Sequence, residues 1–555
     1  MIESRPPSAG PSARPASPSR SFRAPTPEAA ASPVASRSPA ALDRALVAGV
    51  FLGSFALLLL RAPGLDYFLT SRDHGYQVGI GGQVLQGATP GVDIVCVYGP
   101  MAMLTSALGL RISGSLLGET LLCSGGYALC FTLLYVLARR DWSRTAGLAA
   151  AAAGYALMAR YYKWYVWLIP LATLWGLRGW IDAADDRKRR WLAACGLIVG
   201  LGWLYRLDMG TLAAVAVGLM IAAAEFGRPS RRLAGSLAVF VAAASALPIA
   251  WTAYLAAAEG IGAPWTFLSS SFHGALVVSR GMAAPMVPLP SIILGFTCAS
   301  AVLVLSATIG VVQWWRGDAS PGSRYLLATA LVALATAHQA THRRDPAHLL
   351  QVVPPLIAGA FAILATARRA AGDASRGVPS RAAFGSFAIA SAGILAYATY
   401  GLTPFARWDL VPIGPDPIAR LKRLAHPTAA VDHPGLAVVQ AVRENSAPGD
   451  AILVFPLDSQ LLTLAERRMS GRLHGYYAGV FDAPDDARLN LDAVLADPPV
   501  LVVVPSPKAD PSGSDWPADE LARKGRAAHA YLEGHIRADY PRTVFDDGRS
   551  AVLAR

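Results

Sequence analysis

Apolar positions in this chain come as nearly unbroken blocks of about 20 residues, the length that crosses a bilayer core, rather than as a strand-like alternation. The blocks lie near 45–60, 114–138, 144–159, 164–180, 191–205, 209–226, 234–256, 288–314, 325–340, 349–366 and 382–401, eleven in all. Residues 1–43 stand apart, with nine prolines and no sustained apolar periodicity. Such a segment cannot bury enough surface to offset its ordering entropy and is expected to be a disordered tail. It is too long and too proline-rich for the start of a cleaved signal peptide, so the first block is expected to be an uncleaved anchor.

Beyond about residue 402 the pattern becomes that of a water-soluble fold. A helical stretch near 434–446 runs through the turn Ala447-Pro448-Gly449-Asp450 into an apolar strand, Ala451–Phe455. A second apolar run, Val500–Val504, precedes a charged helical stretch near 517–536, and Arg542–Phe545 with Ala551–Leu553 reads as a closing hairpin. Alternating helix and strand predict a small α/β unit. The expected architecture is a polytopic α-helical membrane protein of about eleven spans over 44–401, with a first outer loop at 62–113. A C-terminal soluble α/β domain over 402–555 follows it.

Composition sharpens this picture. Of 555 residues, 54% are apolar and 15% charged, against about 25% charged in an average soluble domain, and the mean hydropathy is +0.39. This deficit rules out disorder as the main theme and argues against an ordinary cytosolic enzyme. The net charge of +12 forms no contiguous basic face and does not point to nucleic acid. With the tail placed in the cytoplasm, the loops on that side hold 17 Arg and Lys residues against nine on the other, the asymmetry of a positive-inside topology. The expected location is the plasma (inner) membrane, N-terminus cytoplasmic and C-terminal domain periplasmic or extracellular. The five cysteines are scattered without a CxxC or Cys/His cluster, so neither a zinc site nor a disulfide framework is expected. No GxGxxG or P-loop marks a nucleotide site.

Sorted by side, the outer loops carry the richer chemistry: Asp73, His74, Asp93, Tyr98, Lys163, Arg206, Asp208, His273, His342, Arg343, Arg344, Asp345 and His348. Topology requires no such cluster, and ionisable groups at a membrane boundary are costly unless paired or functional. The first outer loop is the most distinctive, reading Asp73-His74-Gly75-Tyr76, then Leu85-Gln86-Gly87-Ala88-Thr89-Pro90-Gly91-Val92-Asp93, and closing on Tyr98-Gly99-Pro100. An acidic residue, Gly-Tyr, a short apolar helix, Leu-x-Gly-x-x-Pro-x-x-Asp and Gly-Pro in this order resembles the first periplasmic loop of family 39-type, C-type-fold glycosyltransferases. These polyprenyl-phosphate-dependent membrane enzymes include protein mannosyltransferases and lipid A aminoarabinose transferases. The resemblance extends to Arg206-Leu207-Asp208-Met209-Gly210, to the basic loop His342–His348 ahead of Pro354-Pro355, and to the trailing α/β unit. Many members carry Asp-Glu where this chain has Asp73-His74.

The resemblance implies an inverting single displacement that moves a sugar from a polyprenyl-phosphate donor to a glycan, lipid or protein acceptor on the outer face, with Asp73 as general base. Such a transfer also needs cations for the departing phosphate. Lys163, Arg206, Arg343 and Arg344 are the candidates, with His348 beside them; His74, Asp93, Tyr98 and Asp208 are candidates for the acceptor side. No cofactor is required, no metal ligand is assigned, and a divalent cation is left open. Each residue has a simpler role in view. Asp73 can cap the helix that follows, Asp93 can close a turn, Arg206 and Asp208 can pair, Arg343 and Arg344 can snorkel, and His348 can be a structural hydrogen bonder. The run Tyr161–Trp167 reads most simply as an interfacial aromatic belt, and otherwise as a sugar-stacking platform. A transporter or flippase of a lipid-linked glycan is the alternative function; it would show charges in mid-span and internal repeats, of which the sequence offers few and none. The orientation predicts that alkaline phosphatase fused after residue 405 is active and that a fusion near Arg187 is not. The reverse pattern overturns it.

Overall fold

The computed structural model describes residues 39–70, 72–95, 98–227, 229–281, 290–316, 320–342, 345–372, 409–429, 434–454, 459–472, 484–506, 534–535 and 537–555. The chain divides into two units, residues 1–45 and 46–555. In the first, the described residues form the opening turns of helix α1 (Pro39–Leu60).

The second unit is a helical bundle. After α2 (Leu65–Thr70), α3 (Arg72–Leu85) and α4 (Pro100–Ser113) come α5 (Leu116–Asp141), α6 (Arg144–Ala156), α7 (Trp164–Asp182), α8 (Asp185–Tyr205) and α9 (Leu207–Glu225). Then follow α10 (Ser230–Glu259), α11 (Ala263–Gly281), α12 (Pro290–Trp315), α13 (Pro321–His342) and α14 (Pro346–Gly372). Ten of the eleven apolar blocks fall on these helices; the block near 382–401 lies outside the described residues. Among the described residues, six helices are long and apolar enough to cross a membrane: α1, α5, α9, α10, α12 and α14. The expected count of about eleven is not confirmed by these six. Val215, Leu219, Val241, Ile249, Val304 and Leu334 stay exposed on bundle helices, as a lipid-facing surface requires. Inside, Tyr127, Phe131, Leu134, Trp167, Leu171, Leu174, Val217 and Met220 form the main core.

The C-terminal part adds α15 (Pro417–Ala425), α16 (Ala437–Glu444), α17 (Gln460–Ala465) and α18 (Pro484–Ala496). Strands β1 (Ala451–Val454), β2 (Arg468–Met469), β3 (Leu501–Pro505), β4 (Arg542–Asp546) and β5 (Ser550–Ala554) form one sheet, in the order β2-β1-β3-β5-β4. β1 runs parallel to β2 and β3, while β3–β5 and β5–β4 are antiparallel. The turn before β1 has the expected chemistry: the Asp450 carboxylate accepts from the Ala447 amide at 2.7 Å, and Gly449 takes a φ of +80°. The charged helical stretch near 517–536 lies almost wholly outside the described residues.

This sheet does not keep its core to itself. Ile452, Val503, Val552, Val439 and Leu462 pack with Leu65, Phe68 and Val78 of α2 and α3. α3 fits against α17 because its facing side is glycine. A Cβ at Gly79 would stand 2.2 Å from Ser459 Oγ and 2.6 Å from the Ser459 carbonyl carbon; one at Gly82 would stand 2.1 Å from Thr463 Oγ1. The contact is then pinned by polar bonds. Thr463 Oγ1 donates to the Val78 carbonyl, Gln83 Nε2 donates to the Arg467 carbonyl, and the Met469 amide donates to Gln83 Oε1 at 2.7 Å. Gly79→Ala forces backbone apart here, so it is expected to cost about 1–3 kcal/mol and to lower the thermal unfolding midpoint in detergent. Gly53→Ala, whose Cβ meets nothing within 4 Å, leaves the midpoint unchanged or raised.

Candidate active site

Asp73 is the second residue of α3, where a carboxylate is favoured by the helix dipole. Its Oδ2 accepts the Tyr162 hydroxyl at 2.9 Å. Burial, and after it the Asp73 carboxylate, pushes the Tyr162 phenol well above its usual range, so it remains a donor. Tyr162 belongs to a 3₁₀ turn, Tyr161–Lys163, between α6 and α7. Asp409 fixes that turn by accepting from the Tyr161 amide at 2.7 Å and from Arg160 Nε at 3.0 Å. Burial opposes the Arg160 charge, but Asp409 and the surrounding groups outweigh it and hold the guanidinium above the usual arginine range.

Lys163 is buried, with Nζ 5.4 Å from the Tyr162 ring centre and 6.0 Å from that of Tyr98, cation–π distances in both cases. Tyr98 meets Tyr165 edge-on, and Tyr165 stacks on Tyr205 with ring centres 4.8 Å apart. The next residue, Arg206, separates α8 from α9 and lies within electrostatic reach of Tyr98 and Tyr165. The backbone closes tightly there: the Gly99 amide donates to the Tyr205 carbonyl at 2.8 Å, and a Cβ at Gly99 would stand 2.1 Å from the Leu204 carbonyl oxygen. Arg206 forks onto Asp208, at 3.1 and 2.7 Å, and Asp208 Oδ2 also accepts from His338 Nε2 at 2.8 Å.

The structure thus brings Asp73, Lys163 and Tyr98 together around Tyr162, with Arg206 and Asp208 at the far side of the same aromatic shelf. Asp93 is engaged in a turn, accepting the Thr89 amide at 2.8 Å. His348 is held by Asp345, with Nδ1 2.8 Å from Oδ1. Arg343 and Arg344 lie outside the described residues, as do the side chains of His273 and His342. His74, expected on the acceptor side, has no exposed surface: its ring lies against Tyr162, and Nε2 is 3.1 Å from Glu119 Oε1. Nor does the run Tyr161–Trp167 form a belt. Tyr161, Tyr162, Tyr165 and Trp167 are each at most 2% exposed and belong to the cores. Packing against α5 and the first loop, rather than the interface, takes up these rings.

Sequence reasoning missed Glu119, His338 and Asp409. Glu119 and His338 had a usable signal, since each is an ionisable residue inside an apolar block. Asp409, just past the last block, had none.

No protein-family model matches the sequence, and no curated protein matches it. Solved structures do match. ArnT from Cupriavidus metallidurans bound to undecaprenyl phosphate aligns over 93% of this chain and 98% of its own, with 15% identity and a TM-score of 0.51. This is the C-type glycosyltransferase fold. The same ArnT in the apo state aligns over the same shares at 15% identity and a TM-score of 0.50. The Archaeoglobus fulgidus oligosaccharyltransferase in its apo form aligns over 83% of this chain and 69% of its own, at 12% identity and a TM-score of 0.46.

Asp409 is the anchor most open to test. Asp409→Ala strands the Tyr161 amide and Arg160 in a buried setting, a loss of about 3 kcal/mol, while Asp409→Asn retains an acceptor and costs less. Thermal unfolding of the two variants should rank them in that order, and equal midpoints refute the anchoring role.

Proposed function

We propose that this chain is a membrane glycosyltransferase that moves a sugar from a polyprenyl-phosphate donor to a glycan, lipid or protein hydroxyl on the outer face of the plasma membrane. The observation that carries this reading is a carboxylate and two cations on one aromatic shelf, Asp73 with Lys163 and Arg206, in a fold shared with an ArnT that binds undecaprenyl phosphate.

The chemistry follows from what these groups can do. Asp73, oriented by Tyr162, takes the acceptor hydroxyl proton as its oxygen bonds to the anomeric carbon. The bond from that carbon to the phosphate oxygen breaks in the same step, and the configuration inverts. The lipid phosphate leaves with the bonding electrons, and Lys163 and Arg206 take up its charge; the guanidinium can do so through two hydrogen bonds. Arg343, Arg344 and His348 are placed on the donor side by the sequence, and Asp93, Tyr98 and Asp208 on the acceptor side. In this reading the tail 1–43 is cytoplasmic, 44–401 form the transferase, and 402–555 face outward.

Asp73→Asn keeps the shape of the side chain and an acceptor oxygen for Tyr162 but cannot take a proton, so transfer by purified protein should fall by roughly 10²–10⁴-fold with donor binding little changed. Arg206→Ala should instead weaken donor binding by about ten- to a hundredfold, the value of one charge-assisted contact. A fully active Asp73→Asn enzyme at matched expression removes the assignment. Glycan and glycolipid profiles of cells with and without the protein identify the acceptor as the species that loses one sugar.

A further inference from the structure

Beneath Asp73 lies a polar cluster that the proposed transfer does not use. Glu119 and Cys123 are four residues apart on α5 and so share a helix face, and His74 of α3 reaches them from across the loop. All three are buried. His74 Nε2 is 3.1 Å from Glu119 Oε1, Cys123 Sγ is 3.8 Å from the same oxygen, and the three ligand atoms lie within 4.8 Å of one another.

We propose that His74, Glu119 and Cys123 form a structural site for a divalent zinc-like cation that pins α3 to α5. The donor set is one imidazole, one carboxylate and one thiol. Zinc takes these at about 2.0–2.3 Å in tetrahedral geometry, which sets neighbouring ligand atoms some 3–4 Å apart, close to the separations already present. Soft and borderline metals select such a set; magnesium and calcium take oxygen alone. The outer partners are those a metal site needs. Ser106 Oγ donates to the other oxygen, Glu119 Oε2, at 2.9 Å, and the Tyr67 hydroxyl lies 3.3 Å from His74 Nδ1. That partner lets Nδ1–H donate outward and turns the Nε2 lone pair inward.

Charge favours occupation. A buried carboxylate is costly without a compensating cation, and a divalent ion with one carboxylate and one thiolate is neutral. On binding, the S–H bond of Cys123 gives way to a sulfur–metal bond, and the proton passes to buffer. Glycines make the close approach feasible. A Cβ at Gly109 would stand 2.9 Å from Glu119 Cα, and one at Gly118 would stand 1.8 Å from the Gly109 carbonyl oxygen, so α4 and α5 cross with their backbones nearly touching. The sequence hid this site because its three ligands belong to no short motif, although Glu119-x-x-x-Cys123 has helical chelate spacing.

The site stands whether or not Asp73 is a base, and its test needs neither donor nor acceptor. Purified full-length protein is stripped with a chelator, then loaded with zinc or cobalt, and bound metal is measured. The expected result is one metal ion per chain and, with cobalt, a thiolate-to-metal charge-transfer band in the near ultraviolet. Cys123→Ser abolishes the band, and Glu119→Gln weakens uptake by more than the roughly ten- to hundredfold loss expected from removing an outer partner, as in Tyr67→Phe. A wild-type protein that takes up no metal, or whose cobalt form lacks the thiolate band, overturns the proposal whatever the variants do. Uptake unaffected by Cys123→Ser and Glu119→Gln overturns it as well. Any of these failures leaves glycosyl transfer to be judged on its own assays.

Discussion

The arrangement at Asp73 depends on one helix being bare where it meets its neighbours. Along α3, Gly75, Gly79 and Gly82 face α17, and Gly81 faces α4, where a Cβ would stand 2.8 Å from the Ala107 amide nitrogen. Helix interiors lose roughly 0.5–1 kcal/mol for each glycine in place of alanine, so a 14-residue helix with four of them is weak by itself. It is held instead by its surroundings: backbone contact on both sides, the hydrogen bonds from Gln83 and Thr463, and the Phe68 and Val78 core shared with the sheet. What the helix lacks in intrinsic stability it gains as exact placement of its first turn, which carries Asp73 and His74.

The same economy governs the polar groups around that turn. Asp73, Arg160, Lys163 and Asp409 sit in a largely desolvated region, where an unpaired charge is costly. They are satisfied in relay: Asp409 holds Arg160 and the Tyr161 amide, the turn so fixed presents Tyr162, and Tyr162 holds Asp73. Tyr162 thus gives the Asp73 carboxylate a neutral, fixed donor. The opposite choice is made at Arg206, which forks onto Asp208 and through it meets His338. A guanidinium already oriented by a carboxylate can receive a phosphate with little further ordering.

The sequence carried the bundle because bilayer-length apolar blocks have few other uses, and the ten that fall within the described residues are helices. It carried the C-terminal strands Ala451–Val454 and Leu501–Pro505 for a similar reason: short β-branched runs between turn residues seldom do anything else. β2 has only two residues and left no signal. Of the candidate site, Lys163 and Arg206 were legible at block boundaries, where polar residues stand out, and Asp73 and Tyr98 in the motif of the first outer loop. It was illegible where a ligand is supplied from afar: Glu119 comes from a helix that begins 43 residues after Asp73, and Asp409 lies more than 240 residues from Arg160. The aromatic run misled because Tyr and Trp at a helix start serve an interface or a core equally well, and only the packing partner decides between them.

That packing also constrains the topology, independently of loop charge. Residues 459–469 of the C-terminal part bond directly to α3 in the first loop, so both must lie on one side of the membrane. The crossings between residue 113 and residue 409 are therefore even in number. Of the six helices that qualify by length and hydropathy, five fall in that interval: α5, α9, α10, α12 and α14. Five is odd, so crossing by all five requires at least one more, and the apolar block near 382–401, outside the described residues, is one candidate. Within the described residues the other candidates are α7, α8 and α13: α7 packs along α8 and α13, and α13 in turn packs against α9, α12 and α14. Their lower apolarity fits helices placed inside a bundle, where neighbouring side chains rather than lipid meet their polar residues.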